Sequence, residues 1–151
     1  MKTKLLTASA LILCLALVLS ACGALADKGT YALGKDSVTS IAGALGEERK
    51  MNGVSAETKN GVQTHTYEYL TDPDDPTQAA NDVAVYFQYL LDHDDFLSMK
   101  AFNGLPYEGG VEMQFAKNSV DDGKIIILDI VYNEKGYTLT FTKGKGTLEE
   151  N

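Results

Sequence analysis

Alternation of apolar and polar side chains across residues 111–143 constrains the fold more than any other feature of the chain. Three period-two runs are interrupted at Asp122-Gly123 and at Glu134-Lys135. A two-residue turn at Asp122-Gly123 sets Phe115 opposite Ile130 and Met113 opposite Tyr132. A turn centred on Glu134-Lys135 sets Ile130 opposite Leu139, Leu128 opposite Phe141 and Tyr132 opposite Tyr137. The two turns independently gather Met113, Phe115, Leu128, Ile130, Tyr132, Leu139 and Phe141 on one side. The reverse side collects Glu112, Gln114, Asn118, Asp129, Thr138, Thr140 and Thr142, with Ile127 and Val131 as its larger apolar members. A slip of one residue would flip every side chain, so the agreement predicts an antiparallel sheet with one buried face.

Upstream, Asn60-Gly61 is a hairpin signal that pairs Ala56 with His65 and Val54 with Tyr67, with Tyr69 on the same face. Asp36-Ser37 can cap a short helix with Val38, Ile41, Ala42 and Leu45 at helical spacing and Gly46 at its stop. The turn-rich stretch Asp72–Thr77 precedes a second helix, whose apolar stripe is Ala80, Val83, Ala84, Phe87, Leu90 and Leu91. Gln78, Asp82, Gln88 and Asp92 fall outside that stripe. Phe96 to Phe102 reads as a further strand, followed by a glycine-bearing loop to Gly110. The expected architecture is a two-layer α+β domain of order α-β-β-α-β-β-β-β, an antiparallel sheet covered on one face by a long helix. It spans residues 31–146, with Gly144-Lys145-Gly146 leading into a frayed tail at 147–151.

The opening residues address the chain outward. Lys2 and Lys4 precede an apolar run from Leu5 to Val18, and Leu19-Ser20-Ala21-Cys22 follows. A basic start, an apolar stretch and small residues before a cut site describe an export signal over residues 1–21. The tetrapeptide resembles the lipobox of bacterial lipoproteins. That resemblance implies diacylglycerol on the Cys22 sulfur, cleavage after Ala21, and acylation, as by palmitate, of the new amino terminus. Two or more acyl chains hold a protein stably to a bilayer, whereas one does so only marginally. The expected location is therefore the extracytoplasmic face of a cell membrane, or an outer membrane in a two-membrane cell. Cys14 would be discarded, leaving Cys22 as the sole thiol, so neither an internal disulfide nor a Cys-dependent mechanism is available. Residues 22–30 read as the lipidated Cys and a tether that reaches at most about 25 Å.

Charge and motifs then exclude functions. The formal charge of -8 becomes -10 once the two lysines of the export signal are removed, because that segment carries no acid. Such a chain is unsuited to nucleic acid, whose binding rests on cations neutralising phosphates. No catalytic set is found: Gly53-Val54-Ser55-Ala56-Glu57 lacks the second Gly of a nucleophile elbow, and His65 reads as a half-buried histidine at a sheet margin. The acidic clusters Asp72/Asp74/Asp75 and Asp92–Asp95 lack calcium-loop spacing, and no spacing makes His65 and His93 converge on zinc. Asp121-Asp122-Gly123 reads as turn chemistry, and no metal and no small-molecule cofactor are expected. Leu105 and Tyr107, between glycines on a loop, are the candidate contact residues.

A helix ending in Leu45-Gly46, followed by a Tyr-bearing hairpin, distantly resembles small lipoproteins of the outer-membrane assembly type and secreted β-lactamase-inhibitor-like modules. This likeness covers residues 36–70 and implies an α+β binding module. The expected function is a lipid-anchored, non-enzymatic module that binds a protein or an envelope polymer. The alternative is an inhibitor-like or divalent-ion-binding domain.

Overall fold

The computed structural model describes residues 27–100 and 111–148. The described chain runs β1 (Thr30–Leu33), β2 (Asp36–Thr39), α1 (Ile41–Leu45), β3 (Lys50–Lys59), β4 (Val62–Leu70), α2 (Gln78–His93), β5 (Leu97–Lys100), β6 (Val111–Asn118), β7 (Lys124–Asn133) and β8 (Gly136–Lys145). It is a mostly β member of the α+β class. The export signal, Cys22, Leu105 and Tyr107 lie outside the described residues.

The first correction concerns Asp36–Thr39, expected to open a helix and found as a strand. Gly34, at φ +70°, closes a turn that pairs Leu33 with Asp36 and Tyr31 with Val38. Strand geometry suits the β-branched Val38 and Thr39, and it sends Tyr31, Leu33 and Val38 into the core together. The helix starts one element later, on Ser40, whose Oγ accepts Gly43 N–H at 3.1 Å. It ends at Gly46 as expected, in the left-handed conformation. Two strands therefore precede the first helix, and the element order differs from the expected one.

The main sheet has the order β3-β4-β8-β7-β6-β5, and every neighbouring pair is antiparallel. The β3–β4 hairpin pairs Ala56 with His65 and Val54 with Tyr67, and the β7–β8 hairpin pairs Ile130 with Leu139, Leu128 with Phe141 and Tyr132 with Tyr137, all as read from the turns. The β6–β7 register differs. Met113 faces Ile130 and Phe115 faces Leu128, two residues from expectation. The connection is a four-residue loop, Val120 to Gly123, closed by Ser119 N–H donating to Lys124 O at 2.9 Å, rather than a two-residue turn. A slip of two leaves each side chain on its own face, so Phe115, Leu128, Ile130, Leu139 and Phe141 are all buried.

Helix α2 lays Ala79, Val83, Tyr86 and Leu90 into this core, and Phe87 packs on Phe115 with ring centroids 5.3 Å apart. Ala80 and Ala84, expected in the stripe, are exposed instead. The helix is rotated because Tyr86 brings far more apolar area than two methyl groups, and its hydroxyl donates to Thr39 O at 2.9 Å. The same rotation buries Asp82, expected outside the stripe. Burial is tolerable because Arg49 grips Asp82 with two bonds, Nε to Oδ2 at 2.6 Å and a second terminal nitrogen to Oδ1 at 2.9 Å. The carboxyl end is ordered further than expected. Strand β8 continues to Lys145, Gly146 N–H donates to Gly123 O, and Leu148 N–H donates to Asn118 Oδ1.

Candidate functional site

Both helices contribute their buried residues to the one core, so among the described residues neither covers the reverse face of the sheet. That face carries Thr64 and Thr66 on β4 beside Thr142 and Thr140 on β8, which pair in turn with Ile127 and Asp129 on β7. All five of its central threonines, Thr138 included, are half-buried. A β-branched side chain in a strand has few rotamers, so the hydroxyls form a fixed array. Strands about 4.8 Å apart, with same-face residues about 6.7 Å apart, set its spacing. Each hydroxyl both donates and accepts. Gln114 Nε2 donates to Asp129 Oδ1 at 2.8 Å, which fixes the amide at the face's margin.

Toward the Asn60 turn this face opens into a groove of about 600 Å³ lined by Asn60, Val62, Ile125, Ile127, Thr142 and Gly144, with Lys124 and Lys145 also bordering it. Gly144 forms part of the floor. It pairs with Ile125, and a side chain there would meet Val62. The absence of a side chain at that position is what gives the groove its depth.

Beneath the groove, on the core side of β8, lies a buried ionic cluster. Lys143 Nζ contacts Asp36 Oδ2 at 2.5 Å and Asp121 Oδ2 at 2.8 Å, and donates to Leu33 O at 3.1 Å. Asp36 also accepts from Ser119 Oγ at 2.7 Å and Val120 N–H at 2.8 Å. The Lys143 and Asp36 side chains are only 2% and 3% exposed. Burial alone would raise the Asp36 carboxyl, but the bonds from Lys143, Ser119 and Val120 outweigh it and hold the group below the usual carboxylate range. Burial likewise opposes the Lys143 charge, and Asp121 and Asp36 more than restore it. Asp121, read from sequence as turn chemistry, thus joins Lys143 and Asp36 in an ion cluster, with Lys35 and Lys124 at its outer edge, that clamps the β6–β7 loop and the β1–β2 hairpin to β8. No local pattern marks Lys143, which alternates with Phe141 on the core face like any inward residue.

A second polar chain fixes the amino end of the domain. Ile41 N–H donates to the Tyr31 hydroxyl at 3.1 Å, and the Tyr31 and Tyr69 hydroxyls are 2.6 Å apart. Tyr69 donates to Asp27 Oδ2 at 2.8 Å, so the proton between the two tyrosines belongs to Tyr31. Asp27 also accepts from Gly29 N–H and Ala42 N–H. Burial first, with the nearby Asp27 carboxylate, keeps both phenols protonated well above their ordinary range. The tether expected to run to residue 30 is therefore built into the fold from Asp27 onward. Four residues separate Cys22 from Asp27, spanning at most about 14 Å. Replacing Tyr69 by Phe removes the middle of this chain and is expected to destabilise the fold by about 1–2 kcal/mol in urea titration. An unchanged midpoint would show that the chain does not hold Asp27.

The residues proposed from sequence for chemistry are scattered. His65 sits half-buried opposite Phe141, and burial lowers its pKa, which favours the neutral imidazole. His93 packs on the Tyr89 ring at the end of α2. Four acids of the two clusters accept hydrogen bonds within the chain. Asp72 accepts from Asp74 N–H, Asp75 from Thr77, Asp92 from Gln88, and Asp94 from Thr39. Among the described residues no group of three or more His, Cys, Asp or Glu could hold a metal ion, and no helix is long and apolar enough to cross a membrane. No family model, curated protein or solved structure matches the chain.

Proposed function

We propose that the protein is a lipid-anchored module of the cell envelope that catalyses no reaction and binds an envelope polymer or a protein through its uncovered sheet face. The observation that carries this reading is the threonine array of β4 and β8, which no helix among the described residues covers, α2, the longer helix, packing on the opposite side. Ordered hydroxyls at strand spacing suit a ligand that presents repeated hydroxyls or amides of its own. The export signal and the Leu19-Ser20-Ala21-Cys22 tetrapeptide support attachment through Cys22 on the extracytoplasmic side.

Site-specific photocrosslinking on intact cells tests this. A photoreactive residue at Thr140, in the middle of the array, is expected to give an adduct with polymer or protein. The same residue at Val85, exposed on the outer side of α2, is expected to give none. Equal adducts from both positions, or none from Thr140, would remove the face from consideration.

A further inference from the structure

We infer that the outer edge of β3 pairs with the same edge of a second copy of this chain, antiparallel and with a two-fold axis at Ala56, to make one continuous sheet. The main sheet has two edges. At one of them β5 spans four residues and breaks register between Ser98 and Lys100, two devices that blunt an edge. At the other, β3 runs from Gly53 to Lys59 without a shift or a proline. Among the described residues its outer side receives no backbone hydrogen bond. The two-residue turn at Asn60-Gly61 decides which groups face out. The pair beside such a turn, here Lys59 and Val62, exchanges both of its bonds. Lys59, Glu57 and Ser55 therefore bond β4, while Val54, Ala56 and Thr58 turn their N–H and C=O groups outward. An edge in that state is a template for another strand.

The charges and the one missing side chain on the reverse face name a second copy as the occupant. Setting Ala56 against Ala56 of the other copy places Val54 against Thr58 and uses every outward group between them. The same register sets Ser55 opposite Glu57 and Lys59 opposite Gly53, each twice by symmetry. Glu68, the β4 partner of Gly53, leans into the space that glycine leaves: a Cβ there would lie 3.0 Å from Glu68 Oε2. Lys59 of one copy thus arrives over Gly53 of the other, where the Glu68 carboxylate lies. Among the described residues neither Lys59 nor Glu68 has an ion pair of its own. Neighbouring registers are worse. Centring on Ser55 brings Glu57 over Gly53 against Glu68, and centring on Glu57 sets the two Glu57 side chains face to face. Centring on Val54 or Thr58 runs the ladder into the irregularity before Gly53 or into the Asn60 turn. The contact is isologous, so it closes at two copies. Opposed residues share a face, so both helix layers lie on one side and both threonine arrays on the other. The Asp27 ends, bonded to Tyr69 and to α1 on the helix side, leave at equal height. That arrangement suits two copies tethered to one bilayer, whose confinement favours pairing, although the edge itself does not depend on the tether.

The test places single cysteines on the edge of the full chain in intact cells and applies mild oxidation, the unsubstituted chain setting the background. Ala56→Cys is expected to give a disulfide-linked dimer, because its two copies lie about 5.5 Å apart across a hydrogen-bonded pair. Val54→Cys, on the same face and 45% exposed, is expected to give little alone, its copies being about 13 Å apart along the joined strands. Co-expressed with Thr58→Cys, it is expected to crosslink. Adding Lys59→Glu or Glu68→Lys to Ala56→Cys is expected to lower the dimer about fivefold, since two ion pairs become repulsions. The combined swap Lys59→Glu/Glu68→Lys is expected to restore it, which a folding defect would not allow. No dimer from Ala56→Cys, equal dimer from Val54→Cys alone, charge reversals without effect, or a combined swap that fails to restore pairing would each overturn the proposal. So would an Ala56→Cys adduct with a different protein in place of the dimer, which would give the edge to another partner.

Discussion

Lys143→Met is expected to destabilise the domain by about 3–5 kcal/mol, the loss typical of removing one partner from a buried ion pair. The substitution keeps the aliphatic bulk beside Phe141 and removes only the charge that Asp36 faces at 2.5 Å. Asp36 would remain buried with Ser119 and Val120 as hydrogen-bond donors and no counter-charge. Urea denaturation measures the loss. The double variant Lys143→Met/Asp36→Val is expected to recover much of it, because apolar groups can replace a buried pair at little net change. A single variant within about 1 kcal/mol of wild type would mean that the pair is solvated in solution. The pH dependence follows from both partners. Asp36 has a depressed folded pKa, so its contribution is present above the unfolded value of about 4 and is lost as pH falls through the folded one. Lys143 has a raised folded pKa, so its contribution is present below about 10.4 and is lost as pH rises through the folded value. The Met variant is therefore expected to lose much of the wild-type decline in stability below about pH 4.

Gly136→Ala is the other change expected to be severe, destabilising by about 3 kcal/mol or more through combined backbone strain and overlap. Gly136 has φ +156°. A methyl group there would land on the Tyr69 carbonyl oxygen and crowd the Leu70 backbone. Gly136 pairs with Leu70 where β8 crosses the end of β4, and neither backbone can retreat without breaking the ladder that carries the threonine array. Thermal unfolding reads this directly. As a control, Gly61→Ala has positive φ but open space around its Cβ, and is expected to lose only about 1 kcal/mol. Equal losses at the two positions would show that conformation alone, rather than the close approach, sets the Gly136 requirement.

Much of the sheet was legible in the sequence because its information is local. Asn60-Gly61 and Glu134-Lys135 fix their hairpins to the residue, and alternation assigns the faces. What local pattern could not supply was long-range compensation. Asp82 carries the same charge as the solvated acids around it, and it becomes an interior residue through Arg49, 33 positions away, and the Tyr137 hydroxyl, 55 positions away. Lys143 and Asp36, 107 positions apart in the chain, are polar at inward-facing positions, and neither is intelligible without the other. Asp36-Ser37 carries the residue types of a helix start, but the pairing of Asp36 and Val38 with Leu33 and Tyr31 makes this segment a strand and leaves the cap to Ser40. The candidate groove was legible only as a glycine and lysines near a chain end. Its depth comes from Gly144 lying between Val62 and Ile125, which strand order creates.

The loop from Val120 to Gly123 has a consequence for how this sheet tolerates change. Its length displaces β6 along β7 by an even step from the tightest possible connection, and even steps preserve which residues meet the interior. Lengthening or trimming by two would therefore slide the strand like a ratchet tooth and keep its lining. A single inserted residue would turn Phe115 and Met113 outward unless a bulge absorbed it. Parity, more than length, is what that connection has to conserve.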